Sequence, residues 1–195
     1  MLIFWDQRLV FLATPKAGST AIEAALEPLA SVAITRPAAL KHTGIATWRA
    51  HVAPWLGAED RREFTTVALM REPIDWLRSW YRFRQRDDQD DPVHAMAGIT
   101  FADFARDYAA LGGPDRLGIG RQSDVLTQDG ARIDRIFRYE DMPAFVDFLE
   151  ERLDCVVELP RLNVPPSVDV ALSDDQAAVL TKAMDADVTL YRSLG

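Results

Sequence analysis

The chain has 195 residues, about half of them hydrophobic, which suits one folded domain with a sizeable core. Its formal net charge of -8 disfavours broad nucleic-acid binding and any long polyanionic partner, and leaves open a local basic pocket. Because Cys155 is the single cysteine, no intrachain disulfide can form, which favours a reducing compartment.

The segment MLIFWDQRLVFLATP at the start of the sequence is apolar but is interrupted by Asp6, Gln7 and Arg8. It has neither a basic region nor a continuous apolar run, so it does not have the pattern of a signal peptide. No stretch approaches the roughly 20 apolar residues that span a bilayer. We therefore expect a cytoplasmic protein with no membrane partner.

The first predicted strand and helix lie on either side of a short polar loop. Leu9 to Ala13 form an apolar run before a turn, which is typical of a buried parallel strand. Apolar residues then recur at helical spacing from Ile22 onwards. The same succession follows further along, because Thr65 to Met70 predict a second buried strand and Pro73 suits the first turn of a helix.

The second half of the chain continues the alternation. Thr100 with Asp103 predicts a capping box at the start of a helix, and Ser173 with Gln176 predicts the capping box of the last helix. Between them, Arg135 to Tyr139 predict a short strand followed by another helix. Strands that alternate with helices indicate an α/β fold with a mostly parallel sheet, and we expect a single domain over residues 1–195.

The segment from Arg84 to Thr100 is acidic and is predicted to be the most mobile part of the chain. Its aspartates do not have the spacing of a calcium loop, so we interpret them as a solvated surface and expect no metal site; they are Asp87, Asp88, Asp90 and Asp91. His94 in the same segment is interpreted as a surface residue or a core residue with its hydrogen bonds satisfied. Whether the segment covers an acceptor site is left open.

The loop TPKAGST, from Thr14 to Thr20, joins the first strand to its helix. Backbone N–H groups at a helix N-terminus have no intrahelical partner, and the helix dipole adds positive charge, so this loop predicts a site for phosphate or sulfate. Lys16 supplies a full charge and Gly18 permits close approach. A simple hydroxyl cap would explain Ser19 or Thr20 but not Lys16 or Gly18. The lysine precedes the glycine, unlike in the Walker motif, so a nucleoside triphosphate is not the first choice.

A second candidate anion site follows the second strand. Arg71 leaves the end of that strand, and Ser79 lies in the helix after it. Strand ends in a parallel sheet face the ligand crevice, so Arg71 is a candidate for pairing with a second phosphate and Ser79 for donating to it. A surface salt bridge would explain Arg71 alone, and helix exposure would explain Ser79 alone. Their coincidence with the first anion site favours a shared ligand.

Several motifs resemble the sulfotransferase family. TPKAGST resembles its 5′-phosphosulfate loop, and REPIDWLRS, from Arg71 to Ser79, resembles its 3′-phosphate motif. FRYEDM and LYRSLG are similar to a strand ending in Tyr-Glu-Asp and to the end of small bacterial members. The resemblance is scattered over nearly the whole chain. It implies a P-loop-like three-layer fold, with a central, mostly parallel sheet flanked by helices, and 3′-phosphoadenosine 5′-phosphosulfate (PAPS) as co-substrate.

The resemblance also implies roles for individual residues. The 5′-phosphosulfate would be held by Lys16, Ala17, Gly18, Ser19 and Thr20. Arg71 and Ser79 would hold the 3′-phosphate, and Tyr139 would lie near the adenine, with a core aromatic as the alternative for Tyr139. One departure from the family is Ala21, since some members have tryptophan directly after the loop.

Sulfuryl transfer needs stabilisation of the leaving phosphate and a base for the acceptor hydroxyl or amine. Lys16 can supply the first without a metal. For the base, His42 precedes a helix predicted from Thr43 towards Pro54, whereas His51 lies near its end, where the helix dipole explains a histidine. Small bacterial sulfotransferase-like proteins often have a Lys-His segment here. We therefore predict His42 as the base, with a carboxylate such as Glu23 next.

Two other functions remain open from the sequence. A P-loop-type small-molecule kinase is disfavoured by the lysine position and by the lack of an obvious Walker-B aspartate. A non-catalytic nucleotide-binding module would keep the anion site and need no base. The acceptor is unspecified, but the net negative charge favours a neutral or cationic small molecule or a peptide tyrosine. The candidates for an aromatic acceptor pocket, for which core packing is the simpler explanation, are Trp48, Trp55, Trp76 and Trp80.

Overall fold

The structure, a computed structural model, describes residues 1–57, 64–87, 96–162 and 168–194. The chain divides into two compact units. Unit 1 comprises Met1–Arg71, Gln122–Leu162 and Leu194, and unit 2 comprises Glu72–Arg121, Asn163–Ser193 and Gly195. Each unit combines segments that are distant in the sequence. That the two form one domain stays a prediction.

All strands in the described ranges belong to unit 1. They are β1 (Leu2–Phe4), β2 (Leu9–Phe11), β3 (Val32–Ala33), β4 (Thr65–Met70), β5 (Thr127–Gln128), β6 (Ala131–Arg132) and β7 (Arg135–Arg138). Five of them form a sheet in the order β3-β1-β2-β4-β7, and β5 and β6 form a separate hairpin. β2 pairs in parallel with β4, and β4 with β7, whereas β1 is antiparallel to β2 and β3. Since only β1 runs against the other strands, the predicted mostly parallel sheet is confirmed.

The α-helices flank this sheet in unit 1 or form unit 2. In unit 1 they are α1 (Ser19–Leu26), α2 (Ala38–Lys41), α3 (Ile45–Thr47), α7 (Gln122–Leu126) and α8 (Met142–Leu153). In unit 2 they are α4 (Pro73–Asp87), α5 (Phe101–Ala109), α6 (Gly113–Arg116), α9 (Asp174–Ala183) and α10 (Asp185–Arg192). Shorter helical turns lie at Glu27–Leu29, Ala53–Leu56 and Tyr139–Asp141, with a π-helical turn at Trp48–Val52.

The core of unit 1 lies between the sheet and two helices. Alternate strand residues such as Phe11 and Leu69 pack with Ile22 of α1 and Phe145 of α8. Residues of the opposite strand face, such as Val10, are also buried. Strands buried on both faces have continuous apolar sequences, which is why β2 and β4 were predictable. This packing sets the carboxyl ends of β2 and β4 beside the start of α1.

The sequence analysis does not predict β1 and β3. Both are short, and their register is set by partners far apart in the sequence, such as Ile3 opposite Val32. The prediction that the Ser173 capping box begins the last helix is wrong. The capping box is present, but it begins α9, and α10 follows. The capping box at Thr100 is confirmed as the start of α5.

The core of unit 2 is rich in aromatic side chains. Trp76 and Tyr81 of α4 pack with Phe101 and Phe104 of α5. Trp76 and, in unit 1, Trp48 are buried, which confirms the core-packing explanation for these two tryptophans. Trp55 is 68% exposed, so that explanation is wrong there.

Much of the predicted acidic segment, with Asp88, Asp90, Asp91 and His94, lies outside the described residues. Within the ranges that the structure covers, no group of three or more His, Cys, Asp or Glu side chains could hold a metal ion. No helix in those ranges is both long and apolar enough to cross a membrane.

Candidate functional site

The loop between β2 and α1 contains two residues in the left-handed conformation. The φ angle is 60° at Lys16 and 78° at Gly18. Glycine adopts this conformation freely, whereas for lysine it costs about 1–2 kcal/mol. α1 begins at Ser19 directly after the turn, which confirms the predicted strand–turn–helix arrangement. Backbone strain of this kind is typical of ligand-binding loops.

The N-cap residue of α1 is a glycine. Gly18 has no side-chain oxygen to offer the first turn, and that turn holds no acidic residue. Neither the buried Ser19 nor the exposed Thr20 occupies the N-cap position, so the prediction of a simple hydroxyl cap is wrong. The N–H of Ala21 donates to the Gly18 carbonyl, whereas the N–H groups of Ser19 and Thr20 precede the first intrahelical bond and are positioned to donate to an anion.

Thr14, at the start of the loop, was not assigned a role from the sequence. It is 1% exposed, and its Oγ1 has no hydrogen-bond partner among the residues that the structure describes. An unsatisfied buried hydroxyl costs about 1–3 kcal/mol. Thr14 is therefore a further candidate donor to an anion in the loop.

Arg71 follows β4 and contacts the same loop. Its Nη1 donates to the backbone oxygen of Lys16 at 3.3 Å. Its guanidinium carbon lies 4.7 Å from the centroid of the Tyr139 ring, within reach of a cation–π interaction. Because β2 and β4 are parallel neighbours, their carboxyl ends meet, which brings Arg71 to the loop, while its predicted contact with a second phosphate stays a prediction.

Tyr139 follows β7 and packs against the loop. A Cβ atom at Gly18 would lie 2.9 Å from Cε2 of Tyr139, closer than carbon atoms approach without displacement. The predicted contact of Tyr139 with adenine stays a prediction, but its ring already helps to shape the loop. The side chain of Ala17 belongs to the core, so only its backbone is available to a ligand.

Gln122 is a site residue that the sequence analysis missed. Its Oε1 accepts from the backbone N–H of Arg71, and its Nε2 donates to the backbone oxygen of Arg71, both at 2.9 Å. Gln122 is 0% exposed. Gln122 lies one helical turn before Leu126 on the same short helix, and both are buried. A polar residue on the buried side of a helix is the only signal of this role in the sequence.

His42 lies directly after α2, and its ring reaches the end of β2. Its Nδ1 is 2.7 Å from the backbone oxygen of Ala13. Because a carbonyl oxygen only accepts, Nδ1 carries the proton, and Nε2 of the neutral ring is the nitrogen that can take up another. Burial lowers the pKa of His42, and the Lys41 ammonium lowers it further, against the opposing effects of the Ala13 bond and the Glu23 carboxylate.

Glu23, the alternative base, is engaged by cations. It is 5% exposed, and its Oε2 lies 2.6 Å from Nζ of Lys41. Its Oε1 lies 3.7 Å from the amino group of Met1. Both carboxylate oxygens are thus directed at cations within the protein. The geometry therefore favours His42 over Glu23, and the ion pair of Glu23 with Lys41 anchors the residue that precedes His42.

Two further predicted residues lie outside this cluster of contacts as described for unit 1 alone. Ser79 belongs to α4 of unit 2, where it is half-buried, and its role beside Arg71 stays a prediction. His51 is exposed in the π-helical turn Trp48–Val52. The helix predicted from Thr43 begins at Ile45. After α3 the chain continues through a π-helical turn at Trp48–Val52 and a 3₁₀-helical turn at Ala53–Leu56.

No family model, curated protein or solved structure matches this chain. The resemblance to sulfotransferases therefore depends on the short sequence motifs.

Proposed function

We propose that the protein is a sulfotransferase that moves a sulfuryl group from PAPS to a hydroxyl or amine, within a P-loop-like fold and in the cytoplasm. The observation that carries the proposal is the meeting of three features at the carboxyl ends of β2 and β4. They are the Lys16 loop with the Gly18 N-cap of α1, the guanidinium of Arg71, and the His42 ring on the Ala13 carbonyl.

In this proposal, the phosphosulfate lies at the start of α1. His42 Nε2 takes the proton of the acceptor O–H or N–H as the acceptor atom forms its bond to sulfur. The bond between sulfur and the bridging oxygen breaks, and its electron pair goes to the 5′-phosphate. Lys16 and the N–H groups of α1 stabilise the negative charge there. The products are the sulfated acceptor and adenosine 3′,5′-bisphosphate.

The protonation state of His42 suits this role. A general base must be unprotonated at the working pH, and burial lowers the pKa of His42. The bond from Nδ1 to Ala13 also fixes the tautomer and the ring orientation. Lys16 and Arg71 supply positive charge beside the loop without a metal.

A binding comparison tests the proposed donor. Calorimetry with adenosine 3′,5′-bisphosphate, 5′-AMP and ATP with Mg²⁺ should give the tightest binding for the bisphosphate, by about tenfold or more over 5′-AMP for one charge-assisted contact. Equal affinities for the first two would remove the 3′-phosphate from recognition. Preference for ATP would instead support the kinase alternative.

A transfer assay tests the reaction itself. The chain is incubated with PAPS and a panel of phenols, tyrosine peptides, alcohols and amines, and release of adenosine 3′,5′-bisphosphate is followed. Release that depends on one acceptor class supports the enzyme. Tight binding of the bisphosphate with no release from any acceptor supports the non-catalytic module.

A further inference from the structure

Gln122 is buried at the start of α7 and has no role in the proposed reaction. Its amide makes two hydrogen bonds of 2.9 Å with the backbone of one residue, Arg71. We propose that Gln122 is a positioning residue that holds Arg71 for recognition of the 3′-phosphate. This inference rests on the proposed function.

The position of Arg71 in the sheet explains why its backbone needs a partner. The ladder between β4 and β7 ends with Met70 opposite Arg138, so Arg71 is the first residue beyond it. The amide of Gln122 supplies one acceptor and one donor, as a neighbouring strand would. It extends the pairing by one residue and fixes the direction in which the Arg71 side chain leaves the sheet.

The contacts of the Arg71 guanidinium show why the position of its backbone matters. The Arg71 side chain lies against the Tyr139 ring and the backbone oxygen of Lys16. The Tyr139 ring in turn packs against Gly18 of the loop. A shift of the Arg71 backbone would therefore move its charge relative to the loop, and displacements of about 1 Å are enough to impair binding and catalysis.

The test is the ratio of the dissociation constants for 5′-AMP and adenosine 3′,5′-bisphosphate, measured by calorimetry. Gln122→Leu should reduce this ratio by about tenfold through weaker bisphosphate binding, because one charge-assisted contact is misplaced. Binding of 5′-AMP should change little. Gln122→Met also removes both hydrogen-bonding groups, with a similar volume and no buried charge, so it should show a similar reduction and serves if the leucine variant does not fold.

Two controls separate positioning from general stability. Gln128→Leu makes the same change at an exposed glutamine and should leave the ratio unchanged. In an Arg71→Ala background, Gln122→Leu should have no further effect on the ratio, since Gln122 acts through Arg71. Variants of Gln122 that keep the wild-type ratio, or that weaken both ligands equally, would overturn the inference.

The proposed function can fail separately. If the wild-type chain does not discriminate between the two nucleotides, the assignment of the donor is wrong. If the wild type discriminates and the Gln122 variants do so equally well, only the positioning role is wrong.

Discussion

Two helices of unit 1 follow parallel strands of the same sheet, yet they begin differently. α8, which follows β7, has Asp141 at its N-cap, and this carboxylate accepts from the N–H of Ala144 at 3.4 Å. α1, which follows β2, has Gly18 there, which has no side chain to accept a hydrogen bond. The chain thus places a carboxylate at the N-cap of α8 and a glycine at the N-cap of α1. This difference supports the proposal that the β2–α1 junction binds an external anion.

The strongest test of the proposal drawn from this contrast is removal of the proposed base, His42. His42→Ala should lower the transfer rate by about 10²- to 10⁴-fold, because the acceptor loses its proton acceptor. Affinity for adenosine 3′,5′-bisphosphate should remain, since the loop is intact. Steady-state kinetics with PAPS, paired with calorimetry, would check both.

His51→Ala is the matched control, because this exposed histidine lies in the same part of the chain. Its turnover should be close to wild type. Slow turnover in the His51 variant, together with normal turnover in the His42 variant, would assign the role of base to His51.

Lys16 tests whether the β2–α1 junction stabilises developing charge. Lys16→Ala should lower kcat by on the order of a hundredfold, with a smaller effect on donor affinity, because the ammonium acts on the leaving phosphate. Single-turnover rates and nucleotide affinity would be measured together. A variant with weak binding but normal turnover would make Lys16 a binding residue only.

A further test places an acidic side chain in the first turn of α1, as Asp141 already does at the start of α8. Thr20 is exposed in the first turn, and Thr20→Glu should stabilise the helix start while repelling the ligand. We expect about tenfold weaker binding of adenosine 3′,5′-bisphosphate, with unchanged or slightly higher thermal stability. Unchanged affinity would show that the ligand does not use this helix start.

The reciprocal change is Asp141→Ala in α8. Loss of this cap should lower the free energy of unfolding by about 0.5–2 kcal/mol. Nucleotide affinity should not change, because the cap serves the helix alone. Chemical denaturation beside calorimetry separates the two, and a loss of affinity without a loss of stability would remove the distinction between the junctions.

The smallest expected effect is the pH dependence of stability. Burial lowers the pKa of His42 in the folded state relative to the unfolded chain, where it is about 6.5. The unfolded state then binds more protons, so this contribution to stability is complete above about pH 6.5 and is lost as the pH falls towards the lower folded pKa. His42→Asn, whose amide can still donate to Ala13, should flatten the slope of unfolding free energy in this range. An unchanged slope would show that the pH dependence of the unfolding free energy comes from other titratable groups.

The sequence predicts the parts of this molecule that local patterns specify. β4 has the predicted limits, Thr65 and Met70, because a strand buried on both faces has a continuous apolar sequence. The loop with Lys16 was visible as a turn between a strand and a helix. In contrast, β1 depends on pairing with β3, which no local pattern encodes.

The candidate site divides in the same way. Lys16 and Gly18 were recognisable from residue type and place in the loop, and His42 from its position before a helix. The clamp of Gln122 on Arg71 joins residues distant in the sequence, as does the ion pair of Glu23 with Lys41. Such contacts depend on the packed fold, so a lone glutamine or glutamate in the sequence does not reveal them.

Under the proposed function, the left-handed backbone of Lys16 opposes stability to activity. Glycine adopts this conformation without strain, so Lys16→Gly would remove the strain together with the charge proposed to act on the leaving phosphate. Selection for thermal resistance alone would therefore act against this lysine. Stabilising substitutions for a working enzyme then have to lie outside residue 16, because the substitution that relaxes this loop also removes its cation.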